Sequence, residues 1–280
     1  MLKKTRFAGL AAAGIAAVLA LTACASGGAT TDAADDSQSV GPVTEGKLTV
    51  ATSEPAYEPW VVGDPENGEG FEAAVVYAVA EQLGYDAADV VWVRTTFDAA
   101  IAPGPKDFDL NIQQFSVTPE REKVVDFSAP YYETTQAVVA AKGTPAASAT
   151  SIAELRDAVI GVMSGTTSLK AAEDVIAPSN EVQVFNDNAD AVTALQTGQI
   201  DALVVDLPTA FYVRDAQLEG AGVIVGQLDA AAGDEFAFVL PKGSSLTADV
   251  SKAIEALRAD GTLEQLVQTW LADQGAPFLS

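Results

Sequence analysis

Histidine is absent from the 280-residue chain, and cysteine occurs once, at position 24. The first absence removes Ser-His-Asp and Cys-His catalysis together with the usual zinc sites. The second removes any intrachain disulfide. Cations are also scarce: 15 Lys plus Arg face 39 Asp plus Glu, a formal charge of −24. A surface this acidic repels phosphate backbones and anionic lipid, which excludes nucleic acid as a partner. Carboxylate-only catalysis and a calcium site survive these exclusions, although the EF-hand pattern is missing. No residue is assigned to catalysis or to a metal, and no cofactor is expected.

What is present begins with a leader. Lys3, Lys4 and Arg6 precede an apolar run from Ala8 to Leu21, then Leu21-Thr22-Ala23-Cys24. A basic head, a short apolar segment and small residues describe a secretory signal peptide over 1–23. The last four residues look like the lipobox of bacterial lipoproteins, so Cys24 is expected to carry lipid. Residues 24–45 are small, polar and acidic, and are expected to form a disordered tether. No other stretch is long and apolar enough to cross a bilayer. The expected location is therefore extracytoplasmic, with the protein held at the cell membrane by its lipid.

The body alternates strand and helix patterns. Lys47–Thr52, Asp89–Arg94 and Asp107–Phe115 read as strands, with helices over Phe71–Leu83 and Phe97–Ile101. An extended run, Thr135–Ala141, opens a second series. There Ser151-Ile-Ala-Glu154 reads as a capping box, Val159–Met163, Val182–Phe185 and Asp201–Val205 as strands, and Ala189–Thr197 as a helix. A strand at Glu235–Leu240 and helices at Ala248–Ala259 and Thr262–Leu271 finish the chain. This order predicts an α/β fold with parallel pairing and two lobes, ligands lying beyond the carboxyl ends of the strands.

Three points beyond those ends carry chemistry. Thr118-Pro119-Glu120 reads as a helix start, yet Arg121 stands where the positive end of the dipole disfavours a cation. Either Glu120, Glu122 or solvent compensates it, or Arg121 reaches over the strand end to hold a carboxylate, with Ser116 adding a hydroxyl. The turn Gly165-Thr166-Thr167-Ser168 either caps a helix or presents N–H groups to an anion. Asp206 either caps the helix after it or holds an ammonium. Tyr57 and Phe97 follow strands of the first series, as core or as walls around an apolar stem. Taken together these groups suit a zwitterion with carboxylate and ammonium on one carbon.

The chain resembles the family 3 extracellular solute-binding proteins, the polar amino-acid receptors of bacterial ABC importers, over residues 46–272. The motifs are Gly70-Phe71-Glu72 through Gln82-Leu83-Gly84, Phe97-Asp98, Ser116-Val-Thr-Pro-Glu-Arg121 through Val125-Asp-Phe-Ser128 and Pro130-Tyr131-Tyr132, Gly161-Val-Met-Ser-Gly-Thr-Thr167, Gly198-Gln-Ile-Asp-Ala202 through Asp206, and Asp260-Gly-Thr-Leu263 with Trp270. The resemblance implies a two-lobed periplasmic-binding-protein-like (type II) fold with crossover strands near 133–139 and 233–238. Lobe one would be 46–135 plus 236–280, and lobe two 136–235. It also implies that Arg121, Ser116 and the N–H of Thr167 hold a ligand carboxylate, with Thr166 beside them. Asp206 and the carbonyl of Gln114 would take the ammonium, Tyr57 and Phe97 would enclose the side chain, and Glu54 would meet its polar end. Ala73-Ala74 depart from the usual motif, in a position that bears on packing. Glu54 and the uncharged Met163 favour a cationic or amide-bearing ligand.

The function so implied is capture of an amino acid and delivery to permease and ATPase subunits by a monomeric, membrane-anchored binding protein that is not an enzyme. A cyclohexadienyl or arogenate dehydratase-like enzyme on the same fold is one rival, with Glu54, Asp206 or a lysine as its acid or base. A ligand-sensing module is the other.

Overall fold

The computed structural model describes residues 40–229, 234–271 and 275–280. The leader 1–23, Cys24 and most of the tether lie outside the described residues. The tether's end is placed: Val40 exchanges hydrogen bonds with Gly243 and Ser245, and the Val43 N–H donates to Asp109 Oδ1 at 2.7 Å.

Two five-stranded sheets divide the body. The first joins β1 (Leu48–Thr52), β2 (Val90–Arg94), β3 (Leu110–Asn111), β4 (Val125–Phe127) and β12 (Val239–Pro241) in the order β2-β1-β3-β12-β4. The second joins β6 (Gln136–Ala141), β7 (Ile160–Met163), β8 (Gln183–Phe185), β9 (Ala202–Asp206) and β10 (Gly222–Leu228) in the order β10-β6-β9-β7-β8. Between them β5 (Tyr132–Thr134) pairs antiparallel with β11 (Asp234–Phe236), so the chain crosses from one sheet to the other twice, side by side. Pairing is mixed rather than wholly parallel. β1 runs parallel to β2 and β3, and β7 to β8 and β9, whereas β12, β6 and β10 are antiparallel to their neighbours. The antiparallel members are those at or beyond the crossovers, where the chain re-enters a sheet from the hinge.

Both faces of each sheet are covered, which is why β1 is an unbroken buried run, LTVAT. On one face of the first sheet α1 (Phe71–Gln82) packs with α6 (Thr247–Ala259) and α7 (Thr262–Trp270) around Val76, Val79, Ile254 and Leu263. Trp60 anchors this layer edge-on to Phe71, Tyr132 and Phe236, with centroids 6.0, 5.9 and 5.6 Å away. Such pairs add about 0.5–1.5 kcal/mol each beyond area burial. Gly70 has φ +99°, and a Cβ there would lie 2.5 Å from the Trp60 carbonyl oxygen. On the other face α2 (Phe97–Ile101), capped by the Thr96 hydroxyl, packs near Phe108 and Phe115. The second sheet is sandwiched between α3 (Thr167–Ala171) with its π turn Ala172–Ile176 and, opposite, α4 (Asn188–Gln196) with α5 (Leu207–Tyr212).

Several expected elements differ. The strand expected over 107–115 shrinks to β3, because the chain turns out of the sheet before Gln114, whose φ is +52°. The strand expected over 235–240 is two, one in the hinge pair and one in the first sheet. The capping box is not formed: Ser151 makes no side-chain cap, and Glu154 reaches back to the Thr150 N–H at 2.7 Å over a 3-10 turn, Ile152–Leu155. The final residues depart from lobe one. Gln227 in β10 and Leu279 bond through Leu279 N–H to Gln227 O at 2.9 Å, and Leu279 is buried in the second sheet's core.

Candidate functional site

Arg121 is the buried cation of the cleft, only 8% exposed. The expected helix start is there in reduced form: the Thr118 hydroxyl accepts from the Arg121 N–H at 3.2 Å, but only one 3-10 turn, Arg121–Lys123, follows. The guanidinium turns inward rather than to Glu120 or Glu122. Nη1 donates to the Ser116 carbonyl at 2.6 Å, and Nη2 crosses to the second lobe and donates to the Gly165 carbonyl at 2.8 Å. It also lies over the Phe97 ring, 5.3 Å from the centroid, and Phe97 stacks on Phe115 at 4.5 Å. Burial lowers the arginine pKa from its ordinary value, while Asp234 and Asp206 pull it back up.

Gly165 lies against Asp98 of the first lobe. Its φ is +69°, and a Cβ would fall 2.6 Å from the Asp98 carboxylate. Beside it the Ser116 and Thr167 hydroxyls are 3.3 Å apart, again across the lobes. Thr166 donates its hydroxyl to the Met163 carbonyl at 2.7 Å instead of capping α3.

Asp206 ends β9 and precedes α5, yet its side chain makes no cap bond. Its carboxylate accepts instead from Gln136 Nε2 at 2.7 Å, and the same amide nitrogen donates to Asp234 at 2.6 Å. Gln136 is fixed by the Ser168 hydroxyl, which donates to its Oε1 at 2.7 Å. Two carboxylates thus share one amide at the hinge. Burial first, then Asp234, pushes the Asp206 carboxyl up to about 8. A cationic group arriving beside Asp206 would relieve both effects.

Arg121 and Asp206 line one cleft. Of the expected site residues, Tyr57, Phe97, Gln114, Ser116, Arg121, Thr166, Thr167 and Asp206 come together there. Glu54 does not. Its side chain is 68% exposed and pairs at 3.5 Å with Arg94, which stands opposite Thr52 at the end of β2 and draws the acid aside. Ser53, Gln113, Met163 and Asn188 complete the lining. Among the described residues Gln113 Oε1 and Asn188 Oδ1 are buried without a hydrogen-bond partner, and the Tyr57 hydroxyl lies near the Asn188 and Ala189 backbone, so the wall holds polar atoms able to bond a guest. Burial, followed by Asp187, pushes the Tyr57 phenol up to about 12, which keeps it a neutral donor.

Sequence reasoning passed over Gln136, Asp234 and Asn188. A buried polar residue opening the apolar run QAVVAA was the available sign for Gln136. Asp234 and Asn188 carry none, because only the crossover pairing brings Asp234 to the Gln136 amide that Asp206 shares, and only the start of α4 brings Asn188 to the cleft.

A cation and an acid face each other in a crevice between two α/β lobes joined by paired crossover strands. That arrangement defines a two-lobed binding protein, and the solved structures it resembles are of that class. The chain belongs to the bacterial extracellular solute-binding proteins, family 3, whose model matches residues 48–273. It is 29% identical over 227 residues to a probable histidine-binding protein of Campylobacter jejuni, covering 80% of this chain and 84% of the relative. It is 25% identical over 277 residues to the ABC transporter glutamine-binding protein GlnH of Bacillus subtilis, covering 95% and 97%. Among solved structures, an ancestral arginine-binding protein bound to glutamine matches with a TM-score of 0.70 and 31% identity, covering 82% of this chain and all of that one. These relatives are binding proteins.

Proposed function

We propose that this protein captures a free amino acid between its lobes and delivers it to the permease and ATPase subunits of an ABC importer. Arg121, with Ser116, Thr166 and Thr167, takes the α-carboxylate. Asp206 and the Gln114 carbonyl take the α-ammonium, and Tyr57 and Phe97 flank the side chain. The observation that carries this reading is the presence of one buried guanidinium and one half-buried carboxyl in the lining of a single interlobe cleft. Neither charge is cheap to bury alone, and a zwitterion satisfies both at once.

We assign lobe one to 46–135 with 236–271 and lobe two to 136–235, the last residues returning to lobe two. Residues 1–23 act as a lipoprotein leader and Cys24 carries the lipid that holds the protein at the membrane. With Glu54 drawn to Arg94, the polar end of the ligand meets Tyr57, Gln113 and Asn188, which favours a side chain bearing N–H groups. A thermal-shift screen of the twenty amino acids with ornithine, citrulline and cystine tests the reading. Saturating binders raise the transition through RT ln(1 + [L]/Kd), and a flat response to every compound rejects amino-acid capture.

A further inference from the structure

Gln114 lines the cleft with a backbone conformation that side-chain-bearing residues seldom adopt, φ +52°. Something must hold it. The holder is Glu72, on the second position of α1 and 0% exposed. Glu72 Oε1 accepts from the Gln114 N–H at 2.7 Å, Oε2 accepts from the Gln114 side-chain amide, and the Tyr131 hydroxyl donates to Oε1. Three donors converge on the two oxygens, a set that the ionised carboxylate satisfies as it stands, whereas a protonated oxygen requires one of these bonds to turn round, with the Gln114 amide or the Tyr131 hydroxyl accepting instead of donating. Tyr131 is itself fixed by the aromatic layer against Phe71 and Phe238.

We propose that Glu72 is a positioning residue for ligand capture: it draws both nitrogens of Gln114 away from the cleft and so presents the Gln114 carbonyl to the ligand's ammonium. The inference rests on the amino-acid reading above. Glu72 touches no ligand atom in this scheme and acts through Gln114 alone. A carboxylate is suited to the task because two oxygens reach the main-chain and side-chain nitrogens together. It is also a proton-sensitive choice. Burial lifts the Glu72 carboxyl to about 7, opposed by the hydrogen bonds from Tyr131 and Gln114, and no cation contributes among the described residues. The titratable group against it is Tyr131, on which Asp206 also acts. Below that pH, Glu72 protonates, one of the three bonds has to turn round, and the grip on Gln114 changes. Capture is thereby tied to the ambient pH around an exported protein.

The test is calorimetric titration of the full chain with L-glutamine, L-arginine and L-histidine between pH 5.5 and 9. Asp206 titrates in the same range, so the informative quantity is the difference between variants. Each required deprotonation makes log Kd climb by about one decade per pH unit on the acid side. Glu72→Gln is expected to bind about tenfold to a hundredfold more weakly at pH 9, and its acid limb is expected to be shallower than the wild type's by one proton. Curves that coincide, or run parallel with equal affinity, overturn the proposal. Tyr131→Phe keeps the aromatic packing and removes one donor that lowers the Glu72 pKa. It should therefore move the Glu72 break to higher pH, and an unmoved break overturns the proposal even if Glu72→Gln fails to fold. Arg121→Ala separates the two levels of argument. Lost affinity there with an unaffected Glu72→Gln rejects the positioning role alone, whereas full affinity in Arg121→Ala rejects the amino-acid reading and the inference with it.

Discussion

Arg121→Ala removes a group that touches both walls of the cleft, through the Ser116 and Gly165 carbonyls. The side chain is 8% exposed and spends its hydrogen bonds on the Ser116 and Gly165 carbonyls, so it is neither a surface charge nor part of an ion pair within the first lobe. Without it a bound carboxylate would sit in the closed cleft facing Asp206 and Asp234 with no compensating cation. Breaking such a buried pairing costs on the order of 3–5 kcal/mol, equivalent to roughly two to three and a half decades in Kd. The fold itself loses far less. Arg121 occupies a single 3-10 turn, and releasing the Ser116 and Gly165 carbonyls costs about 1–3 kcal/mol, a Tm decrease of only several degrees for a chain of this size. Calorimetry with L-glutamine and L-arginine, paired with thermal unfolding of the ligand-free variant, separates the two effects. Arg121→Lys should recover part of the affinity, since an ammonium supplies charge without the two-pronged geometry. A folded Arg121→Ala variant whose Kd stays within about threefold of wild type refutes the reasoning.

Asp206→Asn should abolish tight capture and change the pH dependence of stability. Its carboxyl is raised to about 8 from 3.8, so its share of ligand-free stability is complete below about pH 4 and lost as pH rises through about 8. The variant should therefore overtake wild type above pH 8, by about 1–3 kcal/mol, and parallel Tm curves would contradict this. Thr209→Val removes the acceptor of the buried Trp60 indole N–H, a 3.0 Å bond between the aromatic layer of the first lobe and α5 of the second. The loss of about 0.5–1.5 kcal/mol should appear as a lower Tm of the ligand-free protein, and an unchanged Tm would show that the bond does not help to hold the two lobes together. Gly70→Ala forces a Cβ to within 2.5 Å of the Trp60 carbonyl at φ +99°. It should cost about 2–4 kcal/mol by urea unfolding, and an unchanged midpoint would refute that argument.

Local chemistry made much of the molecule legible. The apolar run at 48–52, the periodic stretch at 71–82 and the Thr118 hydroxyl before Arg121 each act through neighbours in sequence, and each stands as read in position if not in length. The site was legible where a strand end supplies the group, as at Asp206. It was not legible where topology supplies it. Glu54 is a site acid only by the family resemblance, and in the structure the strand pairing sets Arg94 beside it while the cleft lining does not include it. Asp234 and Gln136 meet only because two crossover strands lie side by side, far apart in the chain. The positive φ of Gln114 is written in α1, at Glu72, rather than in its own neighbours.

A crystal structure of the protein with its strongest screened amino acid tests the central claim most directly. The account predicts the α-carboxylate within hydrogen-bonding distance of Arg121 and the α-ammonium at Asp206 and the Gln114 carbonyl. An amino acid bound outside the cleft, or inside it with Arg121 and Asp206 both directed away from it, would contradict the account.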